Sequence, residues 1–278
     1  MRLCRLRKDG GISPAALVGD HLHDLSGLVR DIDPGFFAAG GPDRLRGHDL
    51  AALPRIAAHD GFAPAVALPS KIVCIGLNYH DHAAEAKMAV PDEPVVFLKA
   101  PSALSGANDP IPLPPGAGML DWEVELACVI GRRTQRADRG GALACVAGYA
   151  VLNDISERSF QLHRGGQWTK GKSHDGFAPF GPYLVTDVPD PHALRLSLAV
   201  NGEVMQDGTT ADLIFDLPAV IAHVSSFMSL EPGDIIATGT PAGVGFGRVP
   251  QRFLAAGDRV RAEIAGLGVQ EQVVRAET

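Results

Sequence analysis

Glu123 and Glu125 lie two residues apart in Asp121-Trp122-Glu123-Val124-Glu125-Leu126, and Asp154 follows a second apolar run, Val146 to Leu152. Trp122, Val124, Leu126, Cys128 and Ile130 alternate with Glu123, Glu125, Ala127 and Val129, the period of a strand, which turns both glutamates to one face. Neighbouring anions on a half-buried face repel, and desolvating them is costly unless positive charge compensates. Either that face is open to water, as for two ordinary surface glutamates, or a cation sits on it. Oxygen donors with no Cys or His beside them favour Mg, Mn or Ca over Zn. Three carboxylates also leave positions open for water or substrate, as a catalytic ion requires.

Three further groups carry chemistry. In Gly76-Leu77-Asn78-Tyr79-His80-Asp81-His82-Ala83-Ala84-Glu85, a helix from Asp81 onward places His82 and Glu85 at i, i+3, where a carboxylate can orient an imidazole as a general base. An ordinary surface His/Glu pair has the same spacing, and His80 competes for the base role. Arg158 and Gln161, also i, i+3, can aim a guanidinium and an amide at one bound anion. Lys172 stands between Gly171 and Ser173, small residues that let a ligand approach, but periodicity does not separate it from Lys170. The loop Thr238-Gly239-Thr240-Pro241-Ala242-Gly243-Val244-Gly245 can offer a hydroxyl and backbone N–H groups to an oxyanion, or be no more than a tight turn.

The elements that must position these groups read as a mostly β, α+β protein. The chain has 278 residues, 46% of them hydrophobic, enough for a core of ordinary size, and Gly 32 and Pro 21 with 6% aromatics fit a turn-rich sheet protein. Residues 1–68 read as a small N-terminal α/β accessory domain with turns at Asp9-Gly10-Gly11 and Asp33-Pro34-Gly35, and its His21, His23, His48 and His59 are expected to be solvated. Residues 69–278 form the main domain, opening on a buried strand in Lys71–Gly76. Within it, Pro110–Gly116 is an extended connector, Asn201-Gly202 a hairpin turn, and Pro218 to Ser229 a helix capped by Asp216. Strands follow in 234–238, 259–264 and 268–274. Gly243-Val244-Gly245-Phe246-Gly247 leads to Pro250 and not to a helix, which excludes a Rossmann reading.

Charge and cysteine usage narrow the partners. A net charge of -7 with no Lys/Arg cluster argues against nucleic acid, and the short run Arg2, Arg5, Arg7, Lys8 is explained by solvation at a strand edge. Cys4, Cys74, Cys128 and Cys145 form no C-x-x-C pair and are expected as buried, reduced thiols. No apolar stretch has the length of a membrane span and no signal peptide is evident, so the expected location is cytoplasmic, without a membrane partner.

Taken in order, Gly76-Leu77-Asn78-Tyr79 with His82 and Glu85, Asp121-Trp122-Glu123-Val124-Glu125, Asn153-Asp154, Lys170-Gly171-Lys172-Ser173 and Thr238 to Gly245 resemble the fumarylacetoacetate hydrolase family over roughly residues 70 to 274. The resemblance implies a mixed β-sandwich roll, commonly a homodimer. It implies Glu123, Glu125 and Asp154 as ligands of Mg (Mn or Ca being the alternatives), and His82 with Glu85 as a water-activating dyad on a mobile segment. It makes Lys172 catalytic and places Arg158, Gln161 and Thr240 against substrate, with Tyr79 and Lys99 as further pocket contacts. The stretch Gln161 to Ser173 looks most like the branch acting on 2,4-diketo-3-deoxy sugar acids and acylpyruvates. The chain departs from that pattern at His174-Asp175-Gly176-Phe177, where a smaller residue and Asp-Thr-Phe would stand.

The implied reaction is hydrolysis of a carbon–carbon bond in a 2,4-diketo acid, giving pyruvate and a second acid. Decarboxylation of an oxaloacetate-type acid and isomerisation of a 2-hydroxyhepta-2,4-diene-1,7-dioate-type acid are the alternatives at the same site. A non-catalytic metal-binding scaffold is the rival of a different class.

Overall fold

The computed structural model describes residues 1–277. At its centre the Val124–Ile130 strand pairs antiparallel with Val146–Asn153 on one side and Ile235–Ala237 on the other. Ile72–Gly76 joins Ile235–Ala237 in parallel, and Val95–Lys99 forms that edge of a mixed eleven-stranded sheet. Every residue of Val124–Ile130 is buried. Alternation therefore does not mark a solvated face here, because the strand is covered on both sides, as near-continuous apolar runs such as Leu126–Ile130 are.

One cover is a five-stranded sheet in which Leu196, Leu198, Val200, Val260, Ala262 and Ile264 point inward from strands whose alternate residues face out. These residues share a core with the two central strands. The Asn201-Gly202 turn joins Arg195–Val200 to Glu203–Thr209, with φ of 53° and 84°, the left-handed pair that a two-residue hairpin needs. The helix Leu217–Phe227 starts at Asp216, whose side chain accepts from Ala219 N at 2.9 Å. The Pro110–Gly116 connector is extended, and its Ile111–Leu113 part pairs in parallel at the edge of the five-stranded sheet, where a proline without an N–H is tolerated.

The N-terminal strands Arg2–Lys8, Gly11–Val18 and His21–Asp24 continue the large sheet, joined through Leu3 opposite Leu184. Leu3, Ala16, Leu25 and Phe37 belong to the same core as the central strands. Two expectations fail in this segment. Arg5 is only 8% exposed and makes a two-pronged pair with Asp31, and Arg7 does the same with Asp109, so ion pairing accounts for these two members of the basic run, while Arg2 and Lys8 are solvated as expected. His23 is buried, because its strand turns it inward, and its Nδ1 lies 2.9 Å from Leu53 O. The four cysteines are free and buried, as expected. Among the described residues no helix is long and apolar enough to cross a membrane.

Candidate active site

Sheet register assembles the carboxylates. Asn153 stands opposite Val124 and Leu152 opposite Glu125, so Asp154, one residue beyond its strand, arrives beside Glu123, one residue before the other. Asp154 N donates to Glu123 O at 2.8 Å, and the Asn153 side-chain oxygen accepts from Glu123 N at 3.1 Å, which locks this crossing. Carboxylate oxygens of Glu123, Glu125 and Asp154 come within 4.8 Å of one another, all buried.

Three cations surround them. Arg158 donates from Nε to Asp121 at 2.9 Å and from Nη2 to Glu123 at 2.6 Å. Lys172 Nζ bridges Glu123 at 2.5 Å and Asp154 at 2.8 Å, and Lys99 Nζ donates to the other Asp154 oxygen at 2.5 Å. Lys172 and Lys170 are now distinct: Lys172 is buried, while Lys170 is exposed and donates to Arg164 O.

Glu125 alone is left short of positive charge. Its hydrogen bond comes from Gly239 N at 2.9 Å, and among the described residues no ion pair includes it. Burial, then the neighbouring Asp154 and Glu123 charges, push its carboxyl well above the ordinary glutamate range. Glu123 goes the other way: burial opposes its charge, but Arg158 and Lys172 outweigh that and hold it well below the range. Burial likewise works against the Lys172 ammonium, yet Asp154 and Glu123 raise its pKa overall.

The donor set fits a divalent cation. With all four ionised, the buried carboxylates Asp121, Glu123, Glu125 and Asp154 face three buried cations, Arg158, Lys172 and Lys99, so the ionised cluster lacks one positive charge. A divalent ion held by Glu123, Glu125 and Asp154 would turn that deficit into a surplus of one, matching an incoming carboxylate.

The helix His80–Glu85 carries the second group. His82 Nδ1 lies 3.2 Å from Glu85 Oε2, and the other Glu85 oxygen accepts from Gly243 N at 3.0 Å. The glycine-rich loop thus spends most of its N–H groups on the protein's own carboxylates. Gly239 N serves Glu125, Ala242 N serves Asp81, Gly243 N serves Glu85, and Gly245 and Phe246 N serve Asp121. Most of the backbone donors that the sequence suggests for an oxyanion are thus engaged, while Thr240 N and Val244 N make no hydrogen bond among the described residues. Thr240 Oγ1 donates to Val124 O and accepts from Gln206, which pins the loop to the central strand.

A cavity of about 230 Å³ brings His82, Glu123, Glu125, Arg158, Gln161, Lys172 and Thr240 onto one wall system. Arg158 Nη1 donates to Gln161 Oε1 at 3.1 Å, so the i, i+3 pair does face one way. Asp154, Lys99 and Tyr79 stand behind the wall, and the Tyr79 hydroxyl is buried with no hydrogen-bond partner among the described residues. Two contributions escaped sequence reasoning. Asp121 ties Arg158 to the glycine loop, a role that needs contacts 37 and 124 residues away. The aromatic wall of Phe97 and Trp168 is the other; Trp168 follows a glycine pair and carries no local sign of facing a cavity.

Lys172 depends on the glycine before it. The helix Thr169–Lys172 rests on Arg158–Leu162, and a Cβ on Gly171 would stand 2.5 Å from Glu157 O and 2.6 Å from the Gln161 backbone N. Gly171→Ala is therefore expected to displace Lys172, with about 1–3 kcal/mol lost in denaturant unfolding and at least about a tenfold fall in turnover. Wild-type stability in the variant would show that the two helices are not in tight contact.

A mixed, mostly β fold whose strand ends converge three buried acids, two of them lining a cavity that His82 also lines, gives a cluster that could hold a metal ion. The family described as Fumarylacetoacetate (FAA) hydrolase C-terminal matches residues 71–275. The chain belongs to this family of hydrolases and isomerases. A Burkholderia multivorans protein with the provisional name of hydrolase is 48% identical over 280 residues, 99% of this chain and 99% of its own length. Maleylpyruvate hydrolase from Sphingobium, solved with manganese(II) and pyruvate, is 34% identical with a TM-score of 0.83, covering 100% of both chains. The 2-hydroxyhepta-2,4-diene-1,7-dioate isomerase from Mycobacterium marinum is 33% identical with a TM-score of 0.78, over 100% of this chain and 99% of that one.

Proposed function

We propose that the protein hydrolyses a carbon–carbon bond of a 2,4-diketo acid, an acylpyruvate or a diketo-deoxy sugar acid, to pyruvate and a second acid. The observation that carries this reading is His82, oriented at 3.2 Å by Glu85 and lining the same cavity as Glu125 and Lys172. An imidazole held by a carboxylate beside an acid cluster is the equipment for activating water. The resident cation is taken to be Mg, with Mn and Ca as alternatives; the related Sphingobium hydrolase carries manganese(II) with pyruvate. Glu123, Glu125 and Asp154 would hold the divalent ion, which would supply positive charge for an anionic, oxygen-bearing substrate end.

His82 takes a proton from water as its oxygen bonds to C4 of the substrate. Collapse of that adduct breaks the C3–C4 bond, C4 leaves as a carboxylic acid, and the bonding pair passes to C3 as the enolate of pyruvate. The proton held on the His82 imidazolium passes to C3, which completes pyruvate and restores the base. Lys172, fixed by Glu123 and Asp154, offers its ammonium to the negative charge that develops, where a preorganised donor contributes most to rate. Arg158 and Gln161 hold the substrate's anionic end.

His82→Gln is expected to lower kcat for acylpyruvate cleavage by about 10²–10⁴-fold while leaving metal uptake unchanged. Full cleavage by this variant would remove water activation by His82 from the mechanism. Isomerisation is the second reading, favoured by the likeness to the Mycobacterium marinum isomerase; it predicts an absorbance shift with no pyruvate released. Decarboxylation needs no attacking water and leaves His82 without work. A scaffold that only binds metal has no use for the dyad either.

A further inference from the structure

We propose that the group the substrate carries beyond its pyruvoyl end is short, uncharged and apolar, so that the protein discriminates against diacids and polyhydroxylated acids. This rests on the hydrolase reading above and narrows its substrate. The cavity combines two chemistries: Glu123, Glu125, Arg158 and Lys172 line it together with the apolar side chains of Met88, Val95, Phe97, Leu162, Trp168 and Phe246.

Phe97 lies against both Lys172 and Trp168. The Lys172 ammonium sits 5.0 Å from its ring centroid, and Trp168 meets it edge-on at 5.2 Å. Trp168 also lies against the end of the Ile72–Gly76 strand, where a Cβ on Gly76 would stand 3.0 Å from its ring. Gly76 thus lets the indole close over the strand as a flat apolar wall. Around it Met88, Val95, Leu162 and Phe246 remain 59%, 37%, 38% and 38% exposed. Apolar side chains gathered at a cleft and left open to water mark a surface that a ligand covers.

No charge in the lining is free to receive a second carboxylate. Arg158 and Lys172, besides their pairs with Asp121, Glu123 and Asp154, serve the pyruvoyl end of the substrate and the charge that develops there; the lining holds no other Lys or Arg. A terminal carboxylate among these walls would lose water and gain no cation. Hydroxyl groups would meet the same walls without hydrogen-bond partners. The volume of about 230 Å³ is below the roughly 300–1,000 Å³ of most small-molecule sites, which limits the tail to a short one. The dioate named for the Mycobacterium marinum relative carries a carboxylate at each end, so this chain is expected to differ from it in substrate.

The test pairs pentanoylpyruvate with succinylpyruvate, which differ by an ethyl group against a carboxylate, and adds a tail-hydroxylated analogue of the first. With the Mg-loaded enzyme, kcat/KM should favour pentanoylpyruvate by on the order of a hundredfold over the diacid. Leu162→Arg should shrink that ratio at least tenfold by placing a cation in the wall. Binding is read separately from tryptophan fluorescence, with Trp168→Phe as the control that the signal arises in this wall. Tighter binding of pentanoylpyruvate without cleavage would sustain the tail assignment while ending the hydrolase reading. Equal or tighter binding of succinylpyruvate or of the hydroxylated analogue would overturn the tail assignment whatever the chemistry.

Discussion

Asp154→Asn is expected to cost about 3–5 kcal/mol of unfolding free energy in chelator-treated protein and to abolish turnover. Asp154 is shared by two lysines, Lys99 at 2.5 Å and Lys172 at 2.8 Å, and both ammonium groups are buried. Lys172 retains Glu123 when Asp154 is neutralised. Lys99 retains only a backbone oxygen, Ile155 O at 3.1 Å, and burial already works against its charge. A lone buried ammonium is the expensive outcome, more so than the loss of the pair as such. The double variant Asp154→Asn with Lys99→Met should therefore regain most of the stability, because it removes the stranded charge together with its partner. It should regain no activity, since one of three candidate metal ligands is still missing. Urea unfolding of the single and double variants, alongside metal titration, separates the two effects. An Asp154→Asn protein as stable as wild type would mean that Lys99 is not held as a charged group, and the charge count of the cluster would need revision.

That count also shows where the sequence was legible. The spacing of Glu123 and Glu125 and the position of Asp154 at a strand end were enough to place three acids together, since antiparallel register does the rest. The i, i+3 spacings of His82/Glu85 and Arg158/Gln161 survive into contacts because short helices preserve them. Compensation was the hidden part. The two glutamates look equivalent along the strand, yet Arg158 and Lys172 reach Glu123 from 35 and 49 residues away and leave Glu125 to a single backbone N–H. Local periodicity carries no record of such long-range pairing. The same limit hid the continuity of the N-terminal strands with the large sheet, which is made by Arg2–Lys8 against Leu184–Val185. It also hid the fate of the glycine loop, most of whose N–H groups are taken by four side-chain carboxylates drawn from two separate segments.

Unequal compensation makes Glu125 the most strongly raised acid of the cluster; burial raises Asp121 too, but Arg158 opposes it there. Burial, Asp154 and Glu123 raise the Glu125 pKa in the folded protein above that of an unfolded glutamate, so the metal-free fold holds a proton there. The stability tied to that proton is fully present below the ordinary glutamate range and is lost as pH rises through the raised value. Glu123 has the opposite sign: its depressed pKa stabilises the fold above the ordinary range, and that contribution is lost as pH falls. Metal-free protein should accordingly lose stability on the alkaline side of the glutamate range, while Mg- or Mn-loaded protein, whose ion replaces the proton, should not. Metal binding in this window must expel the Glu125 proton, so apparent affinity is expected to rise by roughly tenfold per pH unit until the raised pKa is passed, with about one proton released per ion. Melting curves with and without chelator, and calorimetric titration in buffers of different ionisation enthalpy, measure both quantities. In Glu125→Gln the alkaline loss of stability should vanish together with the proton release, because the amide is neutral at every pH and cannot bring a negative charge to the ion. Proton release that persists in Glu125→Gln would place the displaced proton elsewhere in the cluster and make another carboxylate the uncompensated one.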